Sequence, residues 1–145
     1  MRHGFTLVEL LVVLAVVGLM AAIVVPGSAR QADRIAVEHQ ALRILLAYRA
    51  AWLAAQSQQR LALLRIAPDS IAIRTVRSTG DPDTALVSLE PGPAMAGVTL
   101  QSPARTAMFG PDGLGLGISN TTHVLIKGGA RRQVVVSRLG RVRVE

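Results

Sequence analysis

The sequence predicts an α+β protein: one long N-terminal helix, membrane-spanning in its first half, packed on a C-terminal antiparallel β-sheet domain. Three observations predict it. Residues 5–25 are apolar except for a threonine, a glycine and the single charge of Glu9. Between residues 35 and 53 large apolar side chains then recur at three-, four- and seven-residue spacing, the period of a helix. From Arg60 onward the chain breaks into short alternating or β-branched segments divided by Pro, Gly, Asp and Ser, the pattern of strands and turns. A helix followed by a run of strands makes an α+β domain.

The first element is long enough to cross a hydrocarbon core, since about 20 residues rising 1.5 Å each span about 30 Å. Its acid is costly there, by roughly 2.5–3.5 kcal/mol at mid-bilayer, so Glu9 calls for a partner. Pro26 and Gly27 follow, and a proline removes a backbone donor and crowds the preceding turn. A bend or local melting is expected at Pro26. The second half of the helix, residues 26–58, is predicted amphipathic: Ile35, Leu42, Leu45, Leu46, Trp52 and Leu53 toward the sheet, and Arg34, Glu38, Arg43, Arg49 and Gln56 away from it. Tyr48 and Trp52 are expected in or near the core.

The strands follow in order. "RLALLRI" and "SIAIRTV" form a hairpin about Pro68-Asp69-Ser70. "RSTGDPDT" reads as a loop, "ALVSLE" as a strand, "PGPAMAG" as a loop and "VTLQ" as a short strand. "TAMF" ends in a Pro-Asp-Gly turn and a glycine-rich link. "HVLIKG", "RRQVVVSR" and "RVRVE" are the last three strands, with a tight turn at Leu139-Gly140.

Composition narrows the function. With 145 residues, part of them in the apolar helix, one modest core of about a hundred residues remains. The absence of cysteine excludes disulfides, thiolate metal sites and cysteine nucleophiles. A net charge of +7 comes almost wholly from arginine, Lys127 being the one lysine, and favours anionic partners such as nucleic acid or lipid headgroups. With one Trp, one Tyr and two Phe, the chain is too poor in aromatics for a single-strand stacking platform. His39 and His123 lie far apart with no H-x-x-x-H spacing, and Ser119 and Ser137 have no nucleophile pattern about them. "GLGLG" at 113–117 lacks a following Gly-Lys-Ser/Thr and reads as a flexible turn. No enzyme, metal site or cofactor is expected.

The stretch "GFTLVELLVVLAVVGLMAAI" closely resembles the class III signal of type IV pilins and type II secretion pseudopilins. The resemblance implies cleavage by prepilin peptidase between Gly4 and Phe5, N-methylation of Phe5, and retention of the apolar segment. Residues 1–4 are then a leader, 5–25 the membrane and filament-core helix, 26–58 the amphipathic helix and 59–145 a periplasmic β-rich domain. The mature chain would begin with an α-amino group at Phe5, which a neighbouring subunit's Glu9 can neutralise in a low-dielectric filament core. "FGPDGLGLGI" and the closing "GRVRV" are similar to the C-terminal domain of the GspH/FimT group of minor pseudopilins and minor pilins. The chain lacks the cysteine pair often seen on the FimT side, and residues 77–105 match no family pattern.

Arg131, Arg132, Arg138, Arg141 and Arg143 crowd the C-terminus, and strand alternation puts Arg141 and Arg143 on one face. In the FimT branch a Gly-Arg-x-Arg motif is associated with DNA binding, and Gly140, Arg141 and Arg143 match it. A solvated strand face and a contact with a neighbouring pilin are the other readings. The resemblance implies a single-pass inner-membrane protein, a minor pseudopilin of a type II secretion system. Its partners would be prepilin peptidase, other major and minor subunits, the inner-membrane assembly platform and membrane lipid. The alternative is a FimT-like minor pilin that primes a type IV pilus and binds double-stranded DNA. A membrane-anchored periplasmic binding domain outside any filament is the third.

Overall fold

The computed structural model describes residues 6–79, 83–102, 106–116, 120–137 and 140–145, with residues 23–26 through their backbone alone. One helix, α1, covers Leu7–Gln58. Thr6 caps it: its hydroxyl accepts the Glu9 amide at 3.3 Å, satisfying one of the orphan donors of the first turn. Gln59 ends it in the left-handed conformation at φ 52°, and Arg60 donates back to the Ala55 carbonyl at 3.2 Å. Helical backbone is continuous through Pro26 and Gly27, so the membrane and amphipathic segments are two halves of one element.

Among the described residues nine strands follow, all paired antiparallel: β1 Leu61–Ile66, β2 Ser70–Val76, β3 Ala85–Pro91, β4 Thr99–Gln101, β5 Thr106–Phe109, β6 Gly115–Leu116, β7 Thr121–Lys127, β8 Ala130–Val136 and β9 Val142–Val144. They form two sheets where one was expected, ordered β3-β2-β1-β5-β6 and β4-β7-β8-β9. The division falls where the sequence was least patterned. Pro93–Ala96 is a 3₁₀ turn inside the expected loop, and it carries the chain from β3 in the first sheet to β4 in the second. Gly92 is needed there because a Cβ would land on the backbone of Pro68, Asp69 and Ser70. The expected hairpin stands: β1 and β2 run in register from Leu61↔Val76 to Ile66↔Ile71, closed by the Ala67 amide on the Ser70 carbonyl at 2.8 Å.

The two sheets embrace the second half of α1. The core lies between them: Val37, Ala41, Ile44, Tyr48, Ala51 and Ala55 from the helix, Leu64, Ile71, Ile73 and Phe109 from the first sheet, Leu125, Val134 and Val136 from the second. This corrects the expected orientation of the helix. Ile35, Leu42, Leu46 and Leu53, read from sequence as the packing stripe with Leu45, are 46–59% exposed and lie outside the core, Leu53 bordering the turn into β9, while Leu45 is half-buried. Trp52 is likewise half out, whereas Tyr48 is buried as expected. Small side chains win the inner face because a helix seated between two sheets must approach both closely, and alanine lets it. Of the predicted outer residues, Glu38 and Arg43 lie on the flanks, where they pair with Arg132 and Glu90 across to the two sheets.

Candidate functional site

Two regions hold the residues that the sequence singled out. The first is the leading part of α1. Every described side chain from 6 to 22 is exposed, including Leu7 at 75% and Leu19 at 71%, and none packs on the domain. The apolar window in this helix has a mean hydropathy of 2.9. A helix this apolar all round is not finished in water; it wants lipid or other helices. Gly4 and Phe5 lie outside the described residues. Glu9 occupies the third helical position, exposed, with no ion-pair partner among the described residues. Thr6-Leu7-Val8-Glu9 is also a capping-box sequence, of which the Thr6 half is made. Glu9 therefore favours the helix start on its own account, through the positive end of the macrodipole, a contribution legible in the T-x-x-E spacing and separate from any pairing between subunits.

The second region is the free edge of the second sheet. Antiparallel pairing of β9 with β8 sets Val142 and Val144 opposite Val136 and Val134, toward the core. Alternation then turns Arg141 and Arg143 outward, and both are exposed. Gly140 takes φ +74° and donates to the Ser137 carbonyl at 3.0 Å, while the Arg141 amide donates to Ser137 Oγ at 3.2 Å. This turn presents Arg141 between two concavities. One, about 710 Å³, lies on the outer sheet face with Val135, Ser137, Arg143 and Glu145. The other, about 470 Å³, lies against α1 with Tyr48, Arg49, Trp52 and Leu53. Arg143 approaches Glu145 only to 4.0 Å, and both side chains are more than half exposed, so the pair holds neither firmly.

The C-terminal arginines do not form one cluster. Arg131 and Arg132 open β8, on the far side of Gln133 from Val135, the residue opposite Arg143. Three residues of strand separate Arg132 from that register position, about 10 Å. Arg132 is bound instead to Glu38 of α1, Nε to Oε2 at 2.6 Å. Arg138 lies outside the described residues.

Sequence reasoning missed a buried polar chain. His123, 2% exposed, sits with Nε2 at 2.8 Å from the Tyr48 hydroxyl and Nδ1 at 2.6 Å from Ser102 Oγ. Burial pushes the imidazole down to about 4 and the phenol up to about 12, so the ring is neutral, one of its nitrogens donating and the other accepting, and the Tyr48 hydroxyl keeps its proton. The chain ties α1 to β7 and to the end of β4. Trp52 makes a second tie, Nε1 to the Gly113 carbonyl at 3.1 Å. Gly113, at φ +80°, closes the turn from β5 into β6, with the Leu114 amide on Asp112 Oδ1 at 3.0 Å; of the "GLGLG" stretch, Gly115 and Leu116 are β6 itself and Gly117 lies outside the described residues. Among the described residues no group of His, Asp and Glu is placed to hold a metal.

Residues 1–25 match the prokaryotic N-terminal methylation motif. No curated protein sequence matches the chain. Among solved structures, it is similar to the type IV minor pilin FimU of Pseudomonas aeruginosa in two crystal forms. In one, identity is 18% at a TM-score of 0.59, over 74% of this chain and 91% of that one. In the other, identity is 19% at a TM-score of 0.59, over 83% and 92%. At this identity the likeness is one of fold: a long helix against antiparallel sheets. The chain thus carries the methylation motif at its start and a type IV pilin-like fold behind it, the fold to which the GspH/FimT resemblance pointed.

Proposed function

We propose that the chain is a minor subunit of a type IV pilus-like filament, made as a single-pass inner-membrane precursor with its β-rich domain in the periplasm. One observation carries the proposal: a helix bare and apolar from 7 to 22 that continues without a break into the packed domain. Removing such surface from water is worth about 25 cal/mol per Å². The bilayer takes it before assembly, and the α1 helices of neighbouring subunits take it afterwards. Prepilin peptidase would free the Phe5 amine, and a neighbour's Glu9 would neutralise it, two expensive charges becoming one tolerable pair. Pro26 is the proposed bend at which the helix adjusts between the two environments. The role is structural, exerted through other major and minor subunits and the inner-membrane platform. Glu9→Ala tests it in cells: the precursor is cleaved as before, but the subunit is missing from sheared filaments. Normal incorporation would remove the pairing argument.

The secretion pseudopilus is the first assignment, favoured by a chain without the cysteine pair common on the FimT side. The second, a type IV minor pilin that handles DNA, draws on the outward pair Arg141 and Arg143 beside Gly140. Two guanidinium forks on one strand face suit successive phosphates. A mobility shift of double-stranded DNA with the full chain in detergent, across a salt series, decides between them. Arg141→Gln with Arg143→Gln should abolish the shift at physiological salt and, where residual binding persists at low salt, flatten the log–log salt slope by about 2. No shift with the unaltered chain leaves the secretion pseudopilin standing.

A further inference from the structure

The foot of the β domain carries a basic notch whose height fixes what it meets. The β7–β8 turn at Gly128 and Gly129 abuts α1 at Asp33, closely enough that a Cβ on Gly128 would strike the Asp33 carboxylate. Beside this contact a groove of about 450 Å³ is lined by Arg34, Val37, Ala130, Arg131 and Arg132. Arg132 is occupied by Glu38, and Lys127 donates to the Ala96 carbonyl. Arg34 and Arg131 are exposed and have no ion-pair partner among the described residues, and neither does Arg30, one helical turn below Arg34. If the apolar helix ends at residue 25, a rise of 1.5 Å per residue puts Arg30 about 7 Å and Arg34 about 13 Å above the hydrocarbon edge. Headgroups occupy roughly the first 5–8 Å there. Helical side chains lean toward the N-terminus, so both guanidinium groups reach down into that layer.

We propose that the notch formed by Arg34 and Arg131, with Arg30 beneath it, binds the phosphate of an anionic phospholipid headgroup and seats the unassembled subunit on its membrane. The inference rests on the membrane reading of α1. A guanidinium fork matches a phosphate in two hydrogen bonds, and the groove between helix and hairpin, about 450 Å³, has room for one such group. Lipid held here is left behind when the subunit enters a filament, so the site acts on the membrane pool alone. It stands apart from Arg141 and Arg143, at the other end of the β8–β9 pair.

The test uses the full chain in nanodiscs made with and without phosphatidylglycerol, followed by release into mild detergent and native mass spectrometry of the lipid retained. The expected result is selective retention of the anionic lipid, reduced about tenfold or more in Arg34→Gln with Arg131→Gln, because each basic residue at an anionic surface is worth about a fivefold factor. Arg141→Gln with Arg143→Gln should retain lipid as the parent does. Equal retention of neutral and anionic lipid, or loss only in the Arg141/Arg143 variant, overturns the proposal. Inorganic phosphate separates the sources: if it displaces the lipid at millimolar concentration, the notch is a general phosphate site, and the headgroup assignment falls. Membrane insertion is scored separately by resistance to alkaline extraction. A chain that fails to insert loses the membrane reading and this site together, whereas one that inserts without anionic preference loses the site alone.

Discussion

The two long faces of the second half of α1 are built in opposite ways. Apart from the Tyr48 ring, the inner face is made mostly of small or slender side chains, Val37, Ala41, Ile44, Ala51 and Ala55, all with no exposure. The outer face carries the larger ones, Ile35, Leu42, Leu46 and Leu53, about half exposed. Hydrophobicity alone ranks them the wrong way round. The difference teaches that bulk on a helix measures how much surface it will bury in all its states, while closeness to a sheet measures what it buries in the folded monomer. On this reading the inner face holds the domain together and the outer face is kept for what assembles on it.

That contrast is most directly broken by truncation. Ile44→Ala, inside, should lower unfolding free energy by about 2–5 kcal/mol, the transfer of the lost methyl and methylene groups plus the cavity they leave. Urea denaturation measures it, and a loss below about 1 kcal/mol would mean the two sheets do not grip the helix as described. The tie from Tyr48 through His123 to Ser102 sharpens the same point with pH. His123 is held near 4, below its ordinary value of 6.5, so between those values the unfolded chain takes up a proton that the folded one refuses. Stability is then full above about pH 6.5 and falls as pH drops toward 4, by about 3 kcal/mol. Urea midpoints across that range measure the slope. If the slope persists in His123→Gln, carboxylates elsewhere carry it.

Much of this was legible before the fold. Turn residues at Pro68-Asp69-Ser70 and at Gly140 mark real strand pairs, because a two-residue period next to a Pro or Gly has few other solutions; Leu139 lies outside the described residues. The division into two sheets was not legible: residues 92–98 switch sheets through a short 3₁₀ turn that looks locally like any loop. Nor was the role of His123, since the strand pattern of "THVLIK" places it on a face without saying that Tyr48 of α1 and Ser102 stand opposite it. The grouping of arginines failed for a geometric reason. An antiparallel pair brings the end of β8 to the start of β9 and carries the start of β8 away, so neighbours in sequence part in space. Orientation of α1 was hidden because both of its faces are apolar, and a periodicity fixes an axis without saying which end of it points inward.

The smallest thermodynamic effect is the one that tests the outer face. Leu42→Ser with Leu46→Ser removes two large side chains that already meet water over about half their surface. Little burial is lost on folding, so the unfolding free energy should move by less than about 1 kcal/mol. Helix propensity changes by only a few tenths per residue, and fewer exposed apolar atoms should make the chain less prone to self-association. In the proposed filament the same two substitutions would remove packing wherever a neighbouring subunit meets this face of α1, and the losses would repeat with each neighbour. A folded, correctly processed double variant that is absent from sheared filaments would therefore separate the two faces cleanly. If it instead unfolds like Ile44→Ala, the outer stripe belongs to the monomer's own core, and the division of labour along the helix is wrong.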